Sequence, residues 1–371
     1  MLQLRKKLAN YQEIFYMLFL LPMTGMTSMG INSEDRIYLY VFAVATLFLL
    51  LKMAVTDFTW REIAIMAVFT ALLGANFLRN GEKTLILTAM GIFGAKNVNL
   101  DKVMKYALWE KAVLTVGTLT LAATGVIENE VLLLLKGSEK IELSCYGYYH
   151  PNMAFANIFV VLLLTIMVYG DKMKWHAYVM GTVIILAAYR VFVCRTGLLV
   201  WIALCTAVGL YHLVSYLHIE RWCMRLFVLI PITLAYVTLL IPHLVKIDPN
   251  IGIKIDAVIT GRVRLIGLVY DEVWTPKFLL GHIPAQPFDT MYFHLLYNYG
   301  WIIFALGLVA YVMVLWYCSM QGKNYIVIAL GTMAVYGSME LLPLSVLWNL
   351  SLLYLAQILF RGKKVRNEQL Q

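Results

Sequence analysis

The sequence predicts an all-α polytopic membrane protein with about twelve transmembrane helices. Three observations lead to this fold class. Hydrophobic residues make up 61% of the 371 positions, charged residues only 14%, and the mean hydropathy is +0.76. A soluble chain of this length could not cover its surface with so few polar side chains. Because the apolar runs are long and show no alternation, they favour helices over a β-barrel.

Twelve apolar segments approach the roughly 20 residues that a helix needs to cross a bilayer, although the fourth and eleventh are short. We expect no signal peptide, because no small-residue cleavage site follows the basic residues 5–7 and the apolar segments continue to the C-terminus. Residues 1–371 are therefore predicted to form one integral membrane domain. The predicted spans are 14–31, 37–51, 62–78, 84–95, 106–127, 151–169, 176–194, 196–217, 226–242, 289–317, 325–337 and 341–360.

The basic residues predict the orientation. If the N-terminus is cytoplasmic, most of them, including Lys52, Lys96 and Lys111, fall in cytoplasmic segments. The positive-inside rule then places both termini in the cytoplasm of a multi-pass protein of the cell membrane. The same bias explains the net charge of +9, so we expect no nucleic-acid partner. The five cysteines have no metal-binding spacing, which argues against a disulfide framework and a zinc site.

Two predicted outer loops are long, namely residues 128–150 and 243–288. The second is the longest non-spanning stretch, and its apolar content is not typical of disorder. Ile259, Val263, Ile266 and Tyr270 recur in it at helical spacing. We therefore predict a large extracytoplasmic loop whose residues 256–274 form an amphipathic helix at the outer interface.

Arg190 and Arg195 interrupt an apolar stretch that is long enough for two spans. One interpretation is a hairpin crest whose arginines extend to outer headgroups. The other is a ligand site, because charges at membrane depth are costly and a guanidinium is a permanent bidentate phosphate donor. Thr196 and Gly197 follow Arg195, and a glycine there allows two helices to approach closely.

The large loop carries two more arginines, Arg262 and Arg264. On a helix they cannot share a face, because two positions correspond to about 200° of rotation. Arg262 falls on the apolar stripe and needs an anionic partner, whereas Arg264 falls on the wetter face. Arg262 is therefore the favoured ligand residue; the alternative is that both pair with acidic residues of the loop.

Further candidate ligand residues lie near predicted helix starts. Asp289 precedes the tenth span and is either an N-cap or a general base. His282 is a second candidate, while His294, five residues further than Asp289, is expected to be an interior histidine with its hydrogen bonds made. His150 and Asn152 flank a proline that opens the sixth span; Asn152 could cap this helix, and His150 either belongs to an ordinary helix start or reaches the outer cavity.

Motifs of several large enzyme classes are missing from the sequence. It contains no P-loop, dinucleotide fingerprint, nucleophile elbow or HExxH motif, and no acidic pairs typical of a divalent metal site in the outer segments. We therefore expect no cofactor and no metal.

Several landmarks occur in a familiar order: His150-Pro151-Asn152, Arg195-Thr196-Gly197, Gly261-Arg262, Gly281-His282, and Asp289 followed by Tyr292, Phe293, Leu296 and Gly300. This order resembles the O-antigen polymerase and ligase superfamily, which comprises Wzy-type polysaccharide polymerases and WaaL-type ligases. The motifs are short and span residues 145–317. Their order and shared outer placement carry the resemblance.

The resemblance implies a GT-C-like membrane glycosyltransferase that acts outside the cytoplasm on undecaprenyl-diphosphate-linked glycans. Arg195 and Arg262 would contact the diphosphate, and Asp289 takes the place of the ligases' histidine. That departure favours a polymerase, which joins repeat units of capsule, exopolysaccharide or O-antigen. Donor and acceptor glycans, membrane lipid, a chain-length regulator and a flippase are the implied partners. Aromatic residues such as Tyr292 would stack on sugars or anchor the chain at the interface.

Two alternatives stay open. A ligase would transfer finished glycan to another acceptor, against which Asp289 argues. A lipid-linked oligosaccharide flippase would show internal repeats and polar helices at the bilayer midplane. The sequence shows no repeat, and its ionisable residues are expected at the outer edge.

Overall fold

The computed structural model describes residues 7–136, 139–259, 277–282 and 289–360. Arg262, Arg264 and most of the predicted amphipathic helix lie outside these ranges, so the predictions made for them stay predictions.

The described chain consists of helices and one β-hairpin. In order they are α1 (Gln12–Ser28), α2 (Arg36–Val55), α3 (Trp60–Asn80), α4 (Thr84–Gly94), α5 (Leu100–Ala123), β1 (Val131–Lys136), β2 (Glu139–Ser144), α6 (Pro151–Tyr169), α7 (Trp175–Phe192), α8 (Arg195–Tyr216), α9 (Glu220–Leu226), α10 (Leu229–Ile247), α11 (Pro249–Ile259), α12 (Met291–Tyr299), α13 (Trp301–Met320), α14 (Asn324–Gly337) and α15 (Tyr354–Leu359). Single 3₁₀ turns occupy Gly170–Lys172, Leu342–Leu344 and Leu350–Leu353.

Seven helical stretches among the described residues are long and apolar enough to cross a membrane: Arg36–Val55, Trp60–Asn80, Pro151–Lys172, Trp175–Phe192, Arg195–Tyr216, Glu220–Ile247 and Trp301–Met320. The all-α, multi-pass membrane class is thus supported. α4 and α14 are as short as the sequence indicated, with 11 and 14 residues. The predicted total of twelve spans stays a prediction.

The bundle is packed around α6 and α14. Phe155 and Phe159 of α6 are fully buried, and nearly every side chain of α14 is buried as well. The peripheral helices expose apolar side chains instead, for example Leu47, Val68 and Val183. Apolar side chains on the outer surface are expected of helices that face lipid tails. Lipid tails are as apolar as these side chains, so the side chains need no contact with protein to avoid water.

The bundle has two ends. The upper end, predicted to face outward, holds the turns at 29–35, 81–83, 145–150 and 193–194. The lower end holds the turns at 56–59, 95–99, 170–174 and 321–323. Contacts between distant turns support this grouping: Lys83 Nζ lies 3.5 Å from the Ser33 carbonyl at the upper end, and Lys96 Nζ lies 2.8 Å from the Asp57 carbonyl at the lower end.

Exposed aromatic side chains form a girdle near the lower end. Trp60, Trp175, Tyr216 and Trp222 are 71–82% exposed, and they lie where α3 and α7 begin, where α8 ends and in α9. Tryptophan and tyrosine are enriched where a membrane meets water, since their rings are apolar and carry one polar group. The girdle therefore marks one membrane interface.

The predicted tenth span, 289–317, is wrong as a single helix. It divides at Gly300 into α12 and α13, and only α13 has the length of a span. Gly300 has a φ of +86°, and a Cβ at this position would lie 2.7 Å from the Lys277 carbonyl oxygen. The irregular segment 277–282 packs against the break, and the Trp301 amide donates to the Lys277 carbonyl at 3.0 Å.

The predicted twelfth span, 341–360, is also not a continuous helix. It consists of two 3₁₀ turns and the six-residue α15. Short backbone turns and side chains satisfy its polar groups: the Asn349 amide donates to the Ser345 carbonyl at 2.8 Å, while Thr88 Oγ1 donates to the Leu344 carbonyl at 2.9 Å and accepts from the Val346 amide at 3.1 Å. Such irregular backbone is tolerated at membrane depth where protein surrounds it.

The two long predicted loops contain regular structure that the sequence reading missed. In the first, β1 and β2 pair as antiparallel strands, with Leu132 opposite Leu143. β1 is an almost continuous apolar run, and β2 alternates only over the five residues 140–144, so periodicity gave a weak signal for a hairpin. In the second loop, 243–288, helix α10 continues to Ile247 and α11 covers Pro249–Ile259.

The expectation that ionisable residues gather at the outer edge is wrong for Lys111. This lysine lies halfway along α5 and is fully buried, so it belongs to the interior of the bundle and not to a loop segment. Lys52 and Lys96 do lie near the lower end, but inside the bundle, where Lys96 pairs with Glu62 at 2.6 Å.

Candidate functional site: a polar cavity at the upper end

A cavity of about 440 Å³ opens at the upper end, where four segments that are distant in sequence converge. The turn after α1, the turn between α3 and α4, the start of α6 and the irregular segment 341–348 form its walls. Its lining combines aromatic rings with amide, hydroxyl, carboxylate and ammonium groups: Tyr38, Tyr148, Tyr149, Trp348, Asn32, Ser33, Asn80, Thr84, Ser345, Glu34, Glu82, Lys83 and His294. Such a lining suits a polar, ring-shaped ligand, because aromatic faces stack while the polar groups donate and accept hydrogen bonds.

Two tight turns hold the walls together. Gly30 has a φ of +73°, and its Cα lies so near the Gly147 backbone that a Cβ would come within 2.6 Å of the Gly147 carbonyl oxygen. Gly81 ends α3 in the left-handed conformation, with its amide bonded to the Phe77 carbonyl. Both positions need glycine because other residues seldom adopt a positive φ.

One wall contains a carboxylate, a histidine and an amide in contact. His294 Nε2 lies 3.5 Å from Glu82 Oε2, and His294 Nδ1 lies 3.0 Å from Asn298 Nδ2. The histidine side chain is 6% exposed and the glutamate side chain 25% exposed. Asn298 is in turn fixed by its backbone, whose carbonyl accepts from Asn80 Nδ2 at 2.6 Å.

The partners of His294 assign its tautomer. The Asn298 amide nitrogen can only donate, so His294 Nδ1 accepts and Nε2 carries the proton toward Glu82. In this state both ring nitrogens are engaged, and the carboxylate is the member of the group with exposed surface. The arrangement therefore presents Glu82 to the cavity as a proton acceptor oriented by His294.

The charge state of Glu82 follows from its surroundings. Burial by itself would raise the pKa of Glu82, but the hydrogen bonds from His294 and Asn298 outweigh this effect and hold the pKa below the usual glutamate value. Glu82 thus stays ionised at neutral pH and below.

Arg195 lies at the same end of the bundle. It is the first residue of α8 and is exposed, and the next residue, Thr196, donates from Oγ1 to Glu340 Oε1 at 3.3 Å. Glu340 precedes Leu341, which lines the cavity, and together with burial it raises the pKa of the cavity residue Tyr149. The start of α8 is thereby linked to the cavity rim.

The approach of α8 to α6 confirms the expected role of the glycine after Arg195. A Cβ on Gly197 would overlap the Phe155 ring, so these helices could not pack as they do with a larger residue. Arg190, in the last turn of α7, is exposed, and the tight turn between the helices places Val193 at a φ of +50°.

His150 is the N-cap of α6. Its Nδ1 accepts from the Asn152 amide at 3.1 Å, so the histidine caps this helix, a role that the sequence analysis gave to Asn152. The Asn152 Oδ1 atom is buried without a hydrogen-bond partner among the described residues. Met153, in the same turn, lines the cavity, which leaves Asn152 beside it as a predicted ligand residue.

Three predicted site residues lie away from the polar cavity lining. Tyr292 is buried, and its hydroxyl donates to the Ala334 carbonyl at 3.1 Å. The His282 ring stacks on Tyr297 with centroids 4.7 Å apart. Asp289 is half-buried but is not the N-cap of α12, because that position belongs to Thr290.

A second, apolar cavity of about 240 Å³ adjoins the polar one. Its walls come from α3, α4, α10, α12 and α13, and include Leu73, Tyr292 and Phe304. Leu344 lines both cavities. A polar compartment that shares a wall with an apolar one within a membrane bundle matches the shape of an amphiphile.

Sequence reasoning did not single out Glu82 and Asn298, and it assigned His294 to the interior. These residues come together only through the fold. The end of α3 contacts α12 through residues that are far apart in sequence, such as Asn80 and Asn298, which are separated by 218 positions. The one available signal was that Glu82 is the sole acidic residue of the short turn 81–83.

Comparisons with known proteins leave the family open: no protein-family model, no curated protein and no solved structure matches this chain. Within the part of the chain that the structure describes, no group of three or more His, Cys, Asp or Glu side chains is placed to hold a metal ion.

Proposed function

We propose that the protein is a polysaccharide polymerase of the GT-C-like type. It would join undecaprenyl-diphosphate-linked oligosaccharide repeat units at the outer face of the cell membrane, with both termini in the cytoplasm. The observation that carries the proposal is the Glu82–His294–Asn298 arrangement in a polar, aromatic-lined cavity that adjoins an apolar one. The order of sequence landmarks supports the same function.

In the proposed reaction, the acceptor hydroxyl lies in the cavity with its hydrogen toward Glu82. The carboxylate accepts that proton while the acceptor oxygen forms a bond to the anomeric carbon of the donor. The bond from this carbon to the diphosphate oxygen breaks, and its electron pair leaves with the diphosphate. His294 keeps the carboxylate oriented, so Glu82 takes the role that the sequence analysis gave to Asp289.

The leaving diphosphate gains negative charge, which preorganised cations stabilise. Arg195 would serve here, since it is exposed at the start of α8. Its neighbour Thr196 is linked to the cavity rim through Glu340. Arg262 would supply a second guanidinium from the large loop. A planar guanidinium binds two phosphate oxygens at once, as a lysine cannot.

The decisive experiment supplies a purified lipid-diphosphate repeat unit to the protein in nanodiscs, with and without a chelator. A ladder of products that differ by one repeat unit supports a polymerase. Transfer to a different acceptor without lengthening of the lipid-linked species indicates a ligase. Products that need added divalent metal would overturn the metal-free scheme.

A flippase is the second candidate function, because Lys111 lies buried halfway along α5, and transporters hold ionisable groups at that depth. Proteoliposomes with a fluorescent lipid-linked oligosaccharide in one leaflet separate the two. Movement between leaflets without any lengthening would favour the flippase.

A further inference from the structure

Lys111 is a fully buried cation halfway along α5. Its Nζ atom lies 3.0 Å from Thr27 Oγ1, 3.3 Å from Ser28 Oγ and 3.4 Å from the Thr24 carbonyl. It also lies 5.2 Å from the centre of the Trp348 ring. The last turn of α1 and one aromatic face therefore surround an ammonium group that has no exposed surface.

The hydrogen bonds explain why the ammonium is tolerated there. An ammonium has three donors, and the three oxygen atoms at the C-terminal end of α1 use all of them. That helix end also carries the negative side of the helix dipole. A neutral amide would connect α5 to α1 as well and would avoid the cost of burying a charge. The feature that only lysine or arginine adds at this position is the positive charge.

The charge lies directly behind the polar cavity. Thr27 and Trp348, two of the groups around Nζ, are themselves part of the cavity lining. Among the charged lining residues, Glu34 and Glu82 oppose the single ammonium of Lys83. Lys111 adds a positive charge behind the wall formed by Thr27 and Trp348, where the protein shields it from water and salt.

We propose that Lys111 makes the Thr27–Trp348 wall of the cavity a subsite for an anionic group of the phosphate or diphosphate class. Lys111 does not touch the ligand but acts through the wall by its charge, so it is a positioning residue. The inference rests on the proposed function in that a lipid diphosphate would be the ligand. It adds a cation that neither the landmarks nor the catalytic scheme includes.

Glu110, the neighbour of Lys111 in the sequence, is expected to oppose the effect of the Lys111 charge. Its Oε2 accepts from Thr24 Oγ1 at 2.6 Å, while Lys111 Nζ donates to the carbonyl oxygen of the same threonine at 3.4 Å, so both groups lie at the same helix end. If the charge of Lys111 attracts the ligand, then the charge of Glu110 weakens that attraction. Removing either charge should therefore change anion binding, but in opposite directions, whereas two merely structural substitutions have no reason to do so.

The test measures binding of farnesyl diphosphate, inorganic pyrophosphate and farnesol to the full chain in nanodiscs, so it does not depend on turnover. Lys111→Gln should weaken the binding of farnesyl diphosphate about tenfold, which corresponds to about 1.4 kcal/mol. The affinity for farnesol should not change. Lys111→Arg should retain most of the affinity. Lys105→Gln, an exposed position on the same helix, is the matched control and should change nothing.

Glu110→Gln keeps the inference testable if Lys111→Gln does not fold. This substitution should increase the affinity for farnesyl diphosphate several-fold without altering the affinity for farnesol. Weakening of both ligands equally by Lys111→Gln, or weaker diphosphate binding in Glu110→Gln, would overturn the subsite while leaving the polymerase proposal intact. If the wild type binds neither farnesyl diphosphate nor pyrophosphate, the subsite proposal fails, while the polymerase proposal still depends on the product ladder. Pyrophosphate binding that alone depends on Lys111 would assign the subsite to free phosphates and overturn its role for a lipid headgroup.

Discussion

Glu82 and His294 have different roles in the proposed scheme, so their substitutions should have different effects on kcat. Glu82→Gln removes the proton acceptor but keeps the size of the side chain. A general base contributes typically about 10²–10⁴-fold. His294→Gln instead removes one orienting contact. That contact is 3.5 Å long, which exceeds the usual hydrogen-bond range of about 2.7–3.2 Å.

The magnitude for His294 follows from that length. A hydrogen bond to a charged group contributes about 1.5–3 kcal/mol at good geometry, and the long contact suggests the lower end. His294→Gln should therefore lower kcat only about tenfold, since about 1.4 kcal/mol is one order of magnitude. The loss of kcat in Glu82→Gln should be at least ten times larger than that in His294→Gln, and KM should change little in both variants.

The pH profile gives a second, independent measurement. The base must be ionised, and the pKa of Glu82 is held low by His294 against the effect of burial. The wild type should therefore keep its activity until the pH falls below the usual glutamate range. Without His294, burial dominates and the pKa rises, so the acid limb of the kcat profile should move to higher pH.

The assay is a single-turnover elongation reaction with the lipid-diphosphate repeat unit, followed by gel separation of the products between pH 4 and 9. Asn32→Asp, in the same cavity, is a control for the effect of charge alone. Wild-type kcat in Glu82→Gln would refute the assignment of the base. An unchanged acid limb in His294→Gln would refute the coupling between the two residues.

Three further predictions concern other parts of the molecule. Arg195→Ala and Arg262→Ala should each abolish chain extension, by about 10²-fold or more in kcat, with normal expression, because each removes a cation from the leaving group; product ladders and membrane immunoblots measure this. Asp289→Asn should leave kcat within a few-fold of wild type if Glu82 is the base, and a loss of 10²-fold or more would return that role to Asp289. Gly197→Ala should destabilise the fold by about 1–3 kcal/mol or more, because its Cβ overlaps the Phe155 ring; thermal unfolding in detergent measures this as a lower Tm.

Matched controls separate these effects from general damage. Arg61→Ala removes an exposed arginine at the lower end and should leave the ladder unchanged. Gly209→Ala lies in the same helix as Gly197, but no atom lies within 4 Å of its added Cβ, so its Tm should match the wild type. Full-length polymer from Arg195→Ala or Arg262→Ala, or an unchanged Tm in Gly197→Ala, would contradict the corresponding argument.

Much of the architecture was accessible from the sequence because apolar length alone marks a helix in a membrane. The predicted spans at 37–51 and 151–169, for instance, fall within α2 and α6. The break at Gly300 was not accessible, because it depends on a contact with Lys277 that folding creates. The irregular segment after Glu340 is likewise apolar enough for a helix, and only its bonds to Thr88 reveal its conformation.

The candidate site shows a similar division. Sequence landmarks led to Arg195 and His150, since short motifs at helix starts can be read locally. Glu82 and His294 were missed as a pair, because two residues on α3–α4 and α12 can only be related once the helices are packed. Lys111 was misassigned because the positive-inside rule treats every lysine near a span as a loop residue. This lysine is instead buried and donates hydrogen bonds to hydroxyl groups of α1.

The non-helical course of residues 341–353 bears on how the protein is made. A segment without a continuous backbone ladder cannot leave the translocon alone, because its peptide groups would meet lipid unbonded. It needs Thr88 of α4 to be in place before it can settle, since that one hydroxyl serves both Leu344 and Val346. The C-terminal part of the chain would therefore join last, after the helices around it have assembled, and with it the Trp348 wall. A chain still in assembly would therefore have no complete cavity.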